Sequence, residues 1–209
     1  MIDQGTETAD VRLLRASLLF LMKALFRIEH LGLGNIPAEG PLIMVANHVT
    51  YFDPFWVATP VRRTVRFMAW DRIFGIPVAG RVFRWLGAFP VSLENPETGA
   101  YKTALRFLKQ QQALLIFPEG GRSADGRLLP FKDGAASLAL RTGADVQPVV
   151  IHGGARVWNR RMWFPRPRKV RVEYLPPLPR EWLSPPAPAL TARLQCILGE
   201  RLASARARS

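Results

Sequence analysis

Residues 41–54 read Pro41-Leu42-Ile43-Met44-Val45-Ala46-Asn47-His48-Val49-Thr50-Tyr51-Phe52-Asp53-Pro54. The first half is a short, unbroken apolar run, as expected of a strand buried on both faces. It stops at Asn47-His48. Asp53-Pro54 then reads as a helix N-cap followed by proline at the first helical position. A buried strand, a polar loop and a helix in so few residues are the unit of an α/β layer fold. His48 suits proton transfer near neutral pH, and a carboxylate on its far nitrogen would fix the tautomer. Four residues between His48 and Asp53 allow a tight turn that returns the carboxylate to the imidazole. Taken alone, the pair reads more readily as a loop histidine and a capping aspartate than as a catalytic pair.

The rest of the chain repeats this alternation. Strands are expected at Thr64–Ala69, Ala88–Ser92, Ala113–Phe117, Val146–His152 and Val170–Tyr174. Helices are expected at Pro96–Gln112, Gly134–Thr142 (closed by Gly143) and Thr191–Ala205, with short broken helices over Arg72–Trp85. The Pro-rich stretch Pro176–Pro188 reads as irregular. The fold class is therefore α/β, with a mixed, largely parallel sheet flanked by helices and preceded by an N-terminal amphipathic helix. We divide the chain into residues 1–28, an N-terminal membrane-associating helix; 29–175, the main domain; and 176–209, a Pro-rich segment and C-terminal helix.

The 209 residues carry 29 Lys+Arg against 16 Asp+Glu, a formal charge of +13 that points to anionic partners. The single cysteine, Cys196, excludes an internal disulfide and is expected as a small core residue; no zinc cluster is available to it. Residues 1–10, MIDQGTETAD, lack the basic region and cleavage site of a secretory signal. In Val11–Ile28 the longest uncharged run is Ala16–Met22, far short of the ~20 apolar residues that span a bilayer. At ~100° per residue Arg12, Arg15, Lys23 and Arg27 share one arc, with Leu14, Leu18, Leu21 and Leu25 opposite. This helix fits either packing on the core or lying on anionic lipid.

In an open α/β sheet, ligands sit beyond the carboxyl ends of the strands. Three loops meet that description: Asn47–Asp53, Pro118–Ser123 and His152–Arg156. In the second, Pro118-Glu119-Gly120-Gly121-Arg122-Ser123, glycine N–H groups beside a guanidinium would cradle a phosphate, with a Glu119–Arg122 ion pair holding the arginine. No Gly-x-Ser-x-Gly elbow or phosphate-binding P-loop is present. A histidine base without an enzyme nucleophile suggests direct transfer to a substrate hydroxyl.

Asn47-His48-x4-Asp53 followed by Phe117-Pro118-Glu119-Gly120-Gly121-Arg122-Ser123 resembles the glycerolipid acyltransferases of the 1-acylglycerol-3-phosphate (PlsC-like) type. Phe131-Lys132-Asp133-Gly134-Ala135, Val146-Gln147-Pro148-Val149-Val150 and the lead-in Gly32–Pro41 are similar to further family blocks. The resemblance covers roughly residues 28–155. It implies His48 as general base and Asp53 as its orienting partner. Asn47, Glu119, Gly120, Gly121, Arg122, Ser123 and Lys132 are implied at the acceptor site. No metal or bound cofactor is expected; the acyl donor is acyl-CoA or acyl carrier protein. The implied function is acylation of a lysophospholipid, 1-acyl-sn-glycerol-3-phosphate first, in phospholipid biosynthesis.

One block departs. Where the family carries Asp-Arg, this chain has Ser92-Leu93, and Gly121 replaces the family's usual threonine. Loss of a charge-assisted phosphate contact, worth ~1.5–3 kcal/mol, raises the standing of other lysolipid acceptors. The basic-aromatic stretch Arg156–Lys169 and the cations Arg62, Arg63, Arg66 and Arg72 suit a lipid surface or nucleic acid. Their sign matches the N-terminal helix, so we expect an anionic membrane surface as partner and no nucleic acid, with the protein cytoplasmic and peripheral on the inner face of the cell membrane. The rival is a basic lipid- or nucleic-acid-binding module without activity.

Overall fold

A computed structural model describes residues 9–91, 96–183 and 186–206. Seven strands form one sheet in the order β1-β7-β6-β2-β5-β3-β4. They are β1 (Glu29–Leu31), β2 (Leu42–Ala46), β3 (Val65–Trp70), β4 (Ala88–Val91), β5 (Ala113–Ile116), β6 (Asp145–His152) and β7 (Arg171–Tyr174). All neighbours run parallel except β6 and β7. The mixed, largely parallel sheet is as expected from the alternation of elements. Strand β1 was not anticipated: three residues, Glu29-His30-Leu31, are too few to show a period. Residue 92 of the expected β4 strand, like Leu93, lies outside the described residues.

Along β2 all five residues are buried. Side chains alternate across a strand, so Leu42, Met44 and Ala46 enter one core while Ile43 and Val45 enter the other. The first core is covered by α1 (Ala9–Phe26), α2 (Asp53–Ala58) and α4 (Pro77–Trp85). The second is covered by α5 (Pro96–Lys109), α6 (Gly134–Thr142) and α8 (Ala187–Arg206). The β6–β2–β5 order brings the three candidate loops to adjacent strand ends.

Helix α1 departs from the expected division into leucine and cation faces. Its core-facing stripe runs between them, burying Arg15, Met22 and Phe26. Leu14 and Leu18 flank this stripe, but Leu13, Phe20, Leu21 and Leu25 point outward. Arg15 is buried because a helix end requires it there. Its guanidinium donates to Ala58 O at 2.8 Å, Thr59 O at 3.2 Å and Val61 O. His30 donates through Nε2 to Trp56 O at 3.0 Å, and Tyr174 Oη donates to Val57 O at 2.8 Å. The last carbonyls of a helix have no partner within it and carry partial negative charge. Three side chains from α1, β1 and β7 therefore satisfy the end of α2, whose other end carries Asp53.

Arg63 and Arg66 precede or open β3, at the amino edge of the sheet. Arg63 donates to the carbonyls of Pro37, Gly40 and Gln111, and Arg66 to Gln112. They hold loops there rather than joining a surface with Arg72, which lies beyond β3 over Trp70. Cys196 is exposed on α8, not in the core. Prolines 186 and 188 stand at the start of α8, where a missing N–H is no loss.

Candidate active site

The loop after β2 is organised around one carboxylate. Asp53 is 0% exposed. Its Oδ2 accepts from His48 Nδ1 at 2.8 Å, Val49 N at 2.6 Å and Thr50 N at 2.8 Å, and its Oδ1 accepts Thr50 Oγ1 at 2.7 Å. Hydrogen bonds of this number offset the cost of taking a carboxyl group wholly out of water. Asp53 does not cap its own helix: it occupies the first turn of α2 and reaches back to the loop. Histidine and two backbone N–H groups meet on Oδ2, and the Thr50 hydroxyl meets Oδ1.

Because Oδ2 already accepts two backbone N–H groups, His48 Nδ1 must be the donor in their contact. That places the lone pair of the neutral ring on Nε2. Nε2 has no hydrogen-bond partner among the described residues, and the side chain is 18% exposed. The ring stacks on Phe117, with centroids 4.0 Å apart and planes 19° from parallel. Phe117 thus fixes the imidazole plane while Asp53 fixes its rotation. The result is a positioned, accessible imidazole nitrogen.

The second loop is locked to the first. Glu119 is buried; its Oε1 accepts His48 N at 2.7 Å and its Oε2 accepts Leu129 N at 2.9 Å. Burial raises its carboxyl above the ordinary value, and the Leu129 and His48 N–H groups pull it back. Ser123 N donates to His48 O at 2.8 Å, so the histidine's own peptide is held on both sides. The Ser123 side chain is buried and accepts from Gly126 N at 3.0 Å, which makes it a loop former.

Glu119 therefore does not pair with Arg122. The Arg122 guanidinium lies 3.5 Å from the centroid of Tyr51, a cation–π contact that ties it to the His48 loop. The cradle also differs from expectation. Gly120 N donates to Phe117 O at 3.1 Å. Gly120 has φ +67°, and a Cβ there would lie 2.9 Å from Lys132 Cε. The Lys132 side chain crosses Gly120 and brings its ammonium to this loop, while its backbone N donates to Pro118 O at 2.9 Å. Arg122 and Lys132 thus bring two cations to this loop, on either side of the Gly120-Gly121 turn.

Asn47 stands differently again. It is 2% exposed, with Nδ2 on Ile151 O at 3.1 Å and Oδ1 on Ile151 N at 2.8 Å. It clamps the end of β2 to β6 and so positions the loop that carries His48. In the third loop, His152 turns to Glu173 of β7 at 3.3 Å, not to His48, and burial lowers its pKa. Phe117, Tyr51 and Thr50 were not singled out from sequence. Thr50 had a signal, being a hydroxyl residue three before the aspartate; the two aromatics had none that separates them from core residues.

Residues 27–152 match the sequence profile of the family described as Acyltransferase. A chloroplastic 1-acyl-sn-glycerol-3-phosphate acyltransferase of Brassica napus is 31% identical over 135 residues, 63% of this chain and 39% of that protein. The alpha 1-acyl-sn-glycerol-3-phosphate acyltransferase of Homo sapiens is 26% identical over 208 residues, 92% of this chain and 70% of that one. The crystal structure of the 1-acyl-sn-glycerophosphate (LPA) acyltransferase PlsC from Thermotoga maritima matches with a TM-score of 0.82 at 26% identity, over 95% of this chain and 80% of that chain. This chain spans well under half the length of the Brassica protein. The profile match takes in β1 to β6, both locked loops and the His48–Asp53 pair, and on that match the chain belongs to the Acyltransferase family.

Proposed function

We propose that this protein is an O-acyltransferase that moves a fatty acyl group from a thioester to the hydroxyl of a lysophospholipid, with 1-acyl-sn-glycerol-3-phosphate as the acceptor. The observation that carries the reading is the buried Asp53 carboxylate holding His48 so that Nε2 is the free, basic nitrogen. The donor is acyl-CoA or acyl carrier protein. In the reaction, His48 Nε2 takes the proton of the acceptor hydroxyl as its oxygen bonds to the thioester carbonyl carbon. The tetrahedral intermediate collapses, the C–S bond breaks, and the leaving thiolate takes the proton back from the imidazolium. Asp53 stabilises that transient imidazolium without itself being protonated. Arg122 and Lys132 hold the acceptor phosphate.

No helix among the described residues is long and apolar enough to cross a membrane. The outward face of α1, with Leu13, Phe20, Leu21 and Leu25 beside Arg12 and Lys23, supports peripheral attachment to the anionic inner surface of the cell membrane. A second acceptor class is favoured by one observation, the Ser92-Leu93 pair where the resembled family has Asp-Arg. The test is thiol release from acyl-CoA against a panel of lysolipids, with lysophosphatidate, lysophosphatidylglycerol and an uncharged lysolipid in parallel. Lysophosphatidate is expected to give the highest kcat/KM. A higher value for an acceptor without a phosphomonoester would replace it, and no turnover with any acceptor on either donor would remove the acyl-transfer reading.

A further inference from the structure

The loop between α7 (Gly154–Val157) and β7 has a feature that acyl transfer does not use. It is firmly tied: Trp158 Nε1 donates to Met162 O at 2.9 Å, Arg166 N to Val157 O at 2.8 Å, and Arg161 N to Asn159 Oδ1 at 2.9 Å. Yet its tip presents Trp163 at 91% and Phe164 at 78% exposure. Two large apolar side chains held outward on an ordered loop mark a contact with an apolar phase. Beside the tip is a cleft of about 620 Å³ lined by Arg27, Arg156, Met162, Arg166, Arg168 and Lys169. Of its five cations, Lys169 alone has a carboxylate partner among the described residues, Glu29 at 3.1 Å, and it shares that partner with Arg171. Like charges crowded on one cleft call for an anion.

Arg27 sharpens the case. It follows the last residue of α1 with φ +47°, donating its N–H to Lys23 O at 2.9 Å. A left-handed residue at that place is ordinarily glycine, because a Cβ is unfavourable there. Here the position carries a guanidinium that lines the cleft. It also joins the cleft to α1, whose Phe20, Leu21 and Leu25 point outward.

Guanidinium groups match phosphate oxygens in pairs. A soluble phosphate ligand or a nucleic acid would account for the cations. An apolar phase within a side chain's length of the phosphate is found at a bilayer surface, where tryptophan sits at the headgroup level. We propose that the Arg27–Arg166–Arg168 cleft binds the phosphate of an anionic bilayer phospholipid, with Trp163 and Phe164 seated among the neighbouring acyl chains. This deepens the membrane part of the proposed function by naming a headgroup site, and it is read without turnover.

The experiment is sedimentation of the full chain with phosphatidylcholine vesicles and with equimolar phosphatidylcholine–phosphatidylglycerol vesicles. Each cation near an anionic surface contributes about fivefold. R166S/R168S is therefore expected to lose about 25-fold in partition onto the mixed vesicles, with little change on phosphatidylcholine. R27G should lose about fivefold on the mixed vesicles while its thermal midpoint holds or rises, which separates lost binding from lost folding. Brominated acyl chains should quench wild-type tryptophan fluorescence more than that of W163F. Wild-type affinity for mixed vesicles in both arginine variants would overturn the site, and equal quenching of wild type and W163F would overturn the insertion. Release of the wild type from mixed vesicles by soluble coenzyme A, and not by sodium chloride of equal ionic strength, would reassign the cleft to a free phosphate ligand. The arginine variants should keep the wild-type rate on detergent-dispersed substrates. Failure of the wild type to acylate any acceptor would count against the acyl-transfer reading alone.

Discussion

Replacing Asp53 by Asn probes the base most sharply, because shape is kept while charge is lost. The carboxylate accepts four hydrogen bonds, three of them on Oδ2. An asparagine would turn its oxygen toward those three donors, leaving its NH2 toward Thr50 Oγ1, which already accepts from Phe52 N at 2.9 Å. His48 would still donate through Nδ1, so the tautomer survives. What disappears is the negative charge opposite the imidazolium. Bonds to a charged acceptor are worth ~1.5–3 kcal/mol against ~0.5–1.5 for neutral ones, so the variant should lose about 2–3 kcal/mol of folding stability. General-base catalysis contributes ~10²–10⁴, and most of it depends on that charge. We expect kcat for thiol release from acyl-CoA to fall by about 10²–10⁴, with both KM values within about threefold, because Asp53 is wholly buried and touches neither substrate. A folded D53N protein with near-wild-type kcat, or with a loss confined to KM, would refute the role.

Arg122→Ala should raise the lysophosphatidate KM by about 10- to 150-fold with a smaller effect on kcat, from the loss of one charge-assisted contact; an unchanged KM removes the arginine from the acceptor site. Glu119→Gln presents an NH2 to one of two facing N–H groups. It should cost about 1–3 kcal/mol by denaturant unfolding; full stability would mean the clasp is dispensable. His30 and His152 both have pKa values lowered, chiefly by burial. The unfolded chain therefore takes up protons first as pH falls through about 6.5, and stability declines below it by up to about 1.4 kcal/mol per pH unit for each group. H30Q/H152Q should flatten that slope in thermal unfolding; an unchanged slope assigns the pH dependence to other groups.

The sheet was legible because burial on both faces leaves unbroken apolar runs, as at Leu42–Ala46 and Ala113–Ile116, bounded by Gly, Pro and Asn. The stop of α6 at Gly143 followed from one left-handed glycine, φ +67°. The His48–Asp53 pair was legible as residue types at a spacing. Its reading as a dyad required Asp53 to be buried and to face backward, which no spacing reports. The roles of Asn47 and Glu119 were not legible, because polar groups at strand ends serve equally to bind ligands or to tie loops. Here the backbone groups of Ile151, His48 and Leu129 occupy them. Arg15 was misplaced for a related reason. Helical periodicity orders residues around α1, but it cannot foresee that the end of α2 offers three carbonyls to a buried guanidinium.

The most direct measurement is the single-turnover rate of His48→Ala against wild type, with acyl-CoA and lysophosphatidate, on protein shown to be folded by its unfolding midpoint. If Nε2 of His48 takes the acceptor's proton, the variant should acylate at least ~10²-fold more slowly while still binding both substrates. Acylation by His48→Ala at the wild-type rate would contradict it.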